Sequence, residues 1–196
     1  MFKHVFDFAV IFCDIQRGAT KMNKLFKDST TLGVIISRMQ VPYLTDSHIN
    51  MIKTVQNRHS KILILLGVTQ DSKIDIKNPF SFLFRKQMIQ AHLRDSDIIM
   101  PLQDMIDNNA WVATVDMLIK ANLFVGETAT LYGGRDSFIP YYKSSAGRFE
   151  VVELLPEDND SGTELRNLAA IELPKYSLEV AKSMIYTINK MTAQDV

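Results

Sequence analysis

The sequence predicts an α/β protein: a doubly wound parallel sheet with helices on both faces. Three observations predict it. Lys61–Val68 reads KILILLGV, an unbroken apolar run with the length and composition of a strand buried on both faces. Val34-Ile35-Ile36 is a shorter run of the same kind, followed by a polar loop and a helical stripe of Ile49, Ile52 and Val55. Strand-like and helix-like segments then alternate along most of the chain, the order that winds a parallel sheet. In such sheets ligands sit beyond the carboxyl ends of the strands, where the strand order reverses.

In chain order, residues 1–30 read as an N-terminal extension and residues 31–196 as the domain, which closes on a C-terminal helix. Residues 5–13 are apolar enough for a strand, but too short and too poor in preceding positive charge for a signal peptide. Met22 opens MNKLFKDSTTLGVIISR, as a compact α/β domain opens. On that reading residues 1–21 are a leader or an over-extended reading frame, an idea that a native mass retaining Met1 would remove. After Lys61–Val68 the chain enters a polar loop at Thr69-Gln70-Asp71-Ser72. Asn78-Pro79-Phe80-Ser81 starts a helix running to about Leu93, with proline near its first turn. Ile98-Ile99-Met100 is a strand closed by Pro101. A helix spans residues 109–121, with Trp111, Val115, Leu118 and Ile119 on one side. Residues 123–131 form a strand, and Gly133-Gly134-Arg135-Asp136-Ser137 a turn ahead of residues 138–142. Residues 149–155 form a further strand, and Ser161 to Arg166 open a short helix. Pro174 precedes an amphipathic helix over residues 178–191. That helix can pack within the domain or on a second copy, which leaves a homo-oligomer open.

Composition limits the function classes. The 196 residues fit one domain with a sizeable core. Lys+Arg and Asp+Glu are equal at 22 each, so no global field draws the chain to nucleic acid or to an anionic membrane. The basic residues are scattered, which also speaks against nucleic acid. Any anion binding must be local. Cys13 is the lone cysteine, so neither an internal disulfide nor a cysteine metal site can form, and a reducing, cytoplasmic setting is expected. His4, His59 and His92 share no metal-ligand spacing, and no resident metal site is expected. No apolar run reaches the roughly 18 residues of a membrane span.

Two stretches suit an anion. In the first, the Val34 strand gives way at Arg38-Met39-Gln40, passes Pro42, and reaches Thr45, Asp46 and Ser47, three good N-cap residues, just before His48. A helix N-terminus presents free N–H groups and a positive partial charge to a phosphate, and an arginine beside it adds a fork that matches phosphate oxygens. A capped helix with a chance histidine explains the same residues. In the second, Ser161 and Glu164 have capping-box spacing, Gly162 permits close approach to the backbone, and Thr163 and Arg166 share a helix face. Here too, capping alone is a sufficient reason.

The two stretches together resemble one family, in the same order. The chain is similar to the nucleotidylyltransferase superfamily, and within it to the nicotinamide-mononucleotide (NMN) adenylyltransferases of archaeal and phage type. Ser37-Arg38-Met39-Gln40, then Pro42, then Thr45-Asp46-Ser47-His48 match the family's Gly-Arg-Phe/Met-Gln-Pro and His-x-Gly-His signature. Asn78-Pro79-Phe80-Ser81 with Arg85 matches Asn/Asp-Pro-Phe-Thr-x-x-x-Arg, and Trp111 matches a tryptophan on the following helix. Ser161, Gly162, Thr163 and Arg166 match Ser-Gly-Thr-x-x-Arg without a gap. The resemblance covers residues 33 to 170. Thr45 replaces the first histidine, Ser47 the signature glycine and Ser37 the glycine before the arginine, and two extra residues separate Gln40 from Thr45.

The resemblance implies a Rossmann-like fold and adenylyl transfer from ATP to NMN, forming NAD and pyrophosphate. It implies Arg38, Thr45, His48 and Arg166 as catalytic residues. It implies Ser37, Arg38, Met39, Thr45, His48, Ser161, Gly162, Thr163 and Arg166 around the ATP phosphates, with Mg²⁺ bridging those phosphates largely through water. It implies Asn78, Arg85, Asn109 and Trp111 around NMN, with Trp111 stacking on the charged nicotinamide ring. Without the resemblance, Trp111 reads as a core residue of an amphipathic helix. Transfer to another phosphate acceptor is one alternative, and a non-catalytic nucleotide-binding relative is another.

Overall fold

Five parallel strands lie in the order β3-β2-β1-β4-β5. They are β1 (Thr31–Ser37), β2 (Lys61–Val68), β3 (Ile98–Gln103), β4 (Thr128–Gly133) and β5 (Glu150–Glu153). Four helices connect them: α1 (Asp46–Arg58), α2 (Phe82–Gln90), α3 (Asn108–Ala121) and α4 (Ile139–Ser144). This computed structural model describes residues 31–70, 77–134, 137–154 and 164–165. The expected strand at 5–13, the Arg135-Asp136 pair, the second anion stretch apart from Glu164 and Leu165, and the helix at 178–191 lie outside them.

Alternation in the central strands builds two cores. Ile35 of β1 and Ile62, Ile64 and Leu66 of β2 face one side, where Ile49, Ile52 and Val55 of α1 and Met88 and Ile89 of α2 cover them. Val34 and Ile36 with Leu63 and Leu65 face the other side, under Val112, Val115 and Ile119 of α3 and Tyr142 of α4. Both faces of β1 and β2 are therefore dry, which is why their sequences are continuously apolar. Leu165 packs against the α1–α2 core, so the helical pair Glu164-Leu165 returns to the α1 side of the sheet.

The winding positions the site. The first two crossovers carry α1 and α2 and step outward from β1 to β3. The third, through α3, returns across β1 to β4. Strand order reverses between β1 and β4, so the switch point lies beyond Ser37 and Gly133.

Four boundaries differ from expectation. The third strand runs on through Pro101 to Gln103, because β3 is an edge strand and Pro101 needs no second partner there. The fourth strand begins at Thr128, not at residue 123. Phe124, Val125 and Gly126 form an exposed turn in which Gly126 takes φ +86 and Glu127 caps the Phe124 amide at 2.8 Å. The second helix begins at Phe82, because Ser81 is its N-cap and accepts from the Phe84 amide at 3.2 Å; Pro79 lies outside the first turn. Residues 139–144 form α4, a helix where the sequence pattern assigns residues 138–142 no element type.

Candidate functional site

β1 ends at Ser37, and the next three residues turn sharply. Met39 has φ 43, a left-handed value rare for a side chain of this size, and is buried. The turn buries Met39 and Gln40 and leaves Arg38 outward. The Arg38 chain lies across Gly67 at the end of β2. A Cβ on Gly67 would come 3.1 Å from Arg38 Cγ, so the glycine makes room for this crossing. Arg38 Nη1 donates to Asn78 Oδ1 at 3.1 Å, and Nη2 to Asp104 Oδ2 at 2.6 Å. Arg38 remains 49% exposed on its side chain, which keeps it open to a ligand.

Beneath it lies a dry polar knot. Arg85 of α2 is 2% exposed. Its Nε donates to the Phe80 carbonyl at 3.2 Å, and its Nη1 donates to the carbonyls of Arg38 at 2.5 Å and Gly67 at 3.0 Å. Burial, with the Arg38 charge nearby, pulls its pKa down to about 10, and Asp104 opposes the shift. Gln40 pairs with both backbone groups of Phe80, donating at 3.1 Å and accepting at 3.0 Å. Arg85 was expected to touch NMN; the structure commits two of its nitrogens to main-chain carbonyls under the site.

The α1 N-terminus opens beside this group in sequence. Thr45 is its buried N-cap and His48 its third residue. His48 Nδ1 stands 2.7 Å from Thr45 Oγ1 and accepts from the Thr45 amide at 3.4 Å. An accepting Nδ1 leaves the ring proton on Nε2, on the far side of the imidazole, as a donor suited to a phosphate oxygen. The Ser47 Oγ, between them, is buried without a hydrogen-bond partner among the described residues.

Asn109 and Trp111 leave α3 in different directions. Trp111 packs on the second core with its ring centroid 6.0 Å from Phe138. Asn109 lines a cavity of about 430 Å³ between α3 and the α4–β5 loop, with Asp116, Lys120 and Arg148 among its other walls. None of Arg38, Thr45, His48 or Asn78 lines that cavity, so it is separate from the Arg38–Asn78 and Thr45–His48 pairs. Ser161, Gly162, Thr163 and Arg166 fall outside the described residues. His59 bonds Thr31 Oγ1 at 2.9 Å and Tyr132 Oη at 2.8 Å, and is structural.

Asp104 belongs to the group although its sequence context did not single it out. Its signal was a carboxylate just past a strand's carboxyl end, hidden because the strand was expected to stop at Pro101. Its amide extends the ladder to the Val68 carbonyl at 2.8 Å. Among the described residues no three His, Cys, Asp or Glu side chains gather as a metal cage. Asp104, already paired with Arg38, suits a cation that arrives on phosphates better than a resident one.

No family model matches the chain. The nicotinamide-nucleotide adenylyltransferase of Saccharolobus solfataricus is 24% identical over 127 residues, covering 62% of this chain and 70% of that protein. Crystal structures of a bifunctional NMN adenylyltransferase/ADP ribose pyrophosphatase from Francisella tularensis superpose with a TM-score of 0.63 at 24% and 25% identity, over 71% and 73% of this chain. One of them holds AMP and a manganese ion. The chain spans 42% of the length of those structures. The NadR protein in complex with NAD and AMP-PNP shares the fold at 14% identity, with a TM-score of 0.54 over 74% of this chain and 44% of that one. The chain thus has the Rossmann-like nucleotidylyltransferase fold, and in sequence and structure it resembles the NMN adenylyltransferases.

Proposed function

We propose that this chain transfers the adenylyl group of ATP to NMN, giving NAD and pyrophosphate. One observation carries the proposal: Arg38 of the first signature leaves the carboxyl end of the central strand β1 at the switch point, and the same connection ends in the Thr45–His48 cap of α1. The likeness to NMN adenylyltransferases supports nucleotidyl transfer as the reaction class and NMN as the acceptor.

The reaction suits these groups. An NMN phosphate oxygen attacks the α-phosphorus of ATP. The new P–O bond forms as the bond to the oxygen bridging α and β breaks, and pyrophosphate leaves. The nucleophile is already an anion, so no general base is required, and rate comes from positioning and charge stabilisation. Arg38 and the His48 Nε2–H hold the phosphates, and the α1 N-terminus adds its partial charge. In this reading Thr163 and Arg166 take the β and γ phosphates. Ser37, Met39, Ser161 and Gly162 offer main chain close to them. Asn78 orients Arg38 and lies toward the acceptor. Trp111, packed beside Phe138, keeps the nicotinamide-stacking role that the resemblance implies, while Asn109, on the separate α3 cavity, takes no part in this reading. A divalent cation such as Mg²⁺, when bound with the triphosphate, offsets its charge.

The test is pyrophosphate release from ATP, NMN and Mg²⁺, with His48→Ala as control. Release that requires NMN and collapses in the variant is expected. Release with a different phosphate acceptor only would replace NMN and keep the reaction class. Ser47 favours a second reading, a nucleotide-binding relative that does not turn over. Its side chain stands where the signature has glycine, and its hydroxyl is buried without a partner among the described residues. ATP binding without release for any acceptor would establish that reading.

A further inference from the structure

We propose that Gln40 is a positioning residue: with Arg85 it holds the left-handed turn at Met39 that directs the Arg38 guanidinium out of β1. The inference rests on the phosphate-facing reading of Arg38 above.

A non-glycine residue keeps a φ of 43 only where its surroundings over-determine it. Here the turn is clamped on both sides. Before Met39, the Arg38 carbonyl accepts from Arg85 Nη1 at 2.5 Å. After it, the Gln40 amide takes both main-chain groups of Phe80, at 3.1 and 3.0 Å. That bidentate match needs a donor and an acceptor at one side-chain tip, which glutamine has and glutamate or methionine lacks. The two clamps join at the Phe80 carbonyl, which also accepts from Arg85 Nε at 3.2 Å.

Gln40 is 4% exposed, so water does not compete for these bonds. Asn78 lies two residues before Phe80 and accepts from Arg38 Nη1. Fixing Phe80 therefore locates Asn78, and fixing the turn locates the root of Arg38. Gln40 sets both ends of the Arg38–Asn78 pair, and would reach a ligand only through Arg38.

The experiment is calorimetric ATP titration, without NMN, of the wild type, Arg38→Ala, Gln40→Met and the double variant. Gln40→Met should weaken ATP about tenfold while Arg38 is present, the scale of a misaligned charge-assisted bond. In the Arg38→Ala background the further loss should be below about twofold. Equal losses in both backgrounds, or none in the first, would overturn the proposal. Should Gln40→Met not fold, Gln40→Glu keeps the acceptor for the Phe80 amide. It should show a loss that again vanishes without Arg38, and a loss that persists there would overturn the proposal. A wild type that binds no ATP would count against the phosphate reading alone. The clamp is then read from hydrogen exchange at the Phe80 amide and from the Arg38 Nε–H resonance. Gln40→Met should shift both, and unchanged signals would overturn the proposal.

Discussion

Arg38 and Arg85 carry the same charge to opposite purposes. Arg38 is half exposed and shared between Asn78 and Asp104. Arg85 is sealed beneath it, on three main-chain carbonyls. Replacing Arg85 by Met would strand those carbonyls, and we expect a loss of about 3 kcal/mol in urea denaturation, with little recovery in Arg85→Lys, whose ammonium lacks the fork. Stability unchanged within error would show the carbonyls to be satisfied without it. Met39 offers a test of backbone alone. Met39→Gly and Met39→Ala delete the same buried side chain, yet glycine should be the more stable of the two by about 1 kcal/mol, because only the alanine keeps a Cβ in the left-handed region. The reverse order would mean that the turn relaxes when the side chain goes. The spacing from Asn78 to Arg85 was legible in sequence, but the direction of Arg85 was not. One residue type serves phosphate binding and carbonyl clamping equally, and only the packing of α2 decides between them.

At the scale of elements, β2 was fully legible, since an uninterrupted apolar run bounded by polar residues has few other fates in an α/β chain. The α1 start was legible from Thr45-Asp46-Ser47-His48. What stayed hidden is that the cap is a side-chain pair, Thr45 with the His48 ring. Thr45→Ala should cost about 1 kcal/mol in thermal or urea unfolding, and Thr45→Ser should recover most of it. Equal stability of all three would remove the hydroxyl from the cap. β4 was misjudged because Leu123, Phe124 and Val125 read as strand. Tertiary context turned the chain at Gly126 and left Phe124 and Val125 in water. A local pattern reports apolarity but not which apolar residues find a face to cover.

The whole molecule joins a sheet whose central strands are dry on both faces to a candidate site at their carboxyl ends. Stability should depend on pH through buried His59 and half-buried His92. Burial lowers the pKa of His59, with Arg58 and Arg94 adding to the effect, and burial with Lys53 lowers that of His92. The fold therefore favours neutral rings. Their contribution is complete above about pH 6.5, the unfolded value, and is lost as pH falls through the lowered folded values. Tm should be flat from neutral pH to about pH 9 and fall below neutral pH, and His59→Gln should flatten that fall; an unaltered slope would move the effect elsewhere. The candidate site was legible only where motif spacing carries chemistry. Asp104 and the dry knot come from four separate elements and have no local signature.

The proposed adenylyl transfer to NMN stands or falls with the switch-point group around Arg38. The most direct measurement is NAD formation, by mass, from ATP, NMN and Mg²⁺, comparing the wild type with Arg38→Ala. The wild type should form NAD, and the variant should form it at a rate lower by about a hundredfold or more. NAD formed equally well without the Arg38 side chain, or no NAD from a wild type that is folded and saturated with both substrates, would contradict the proposal.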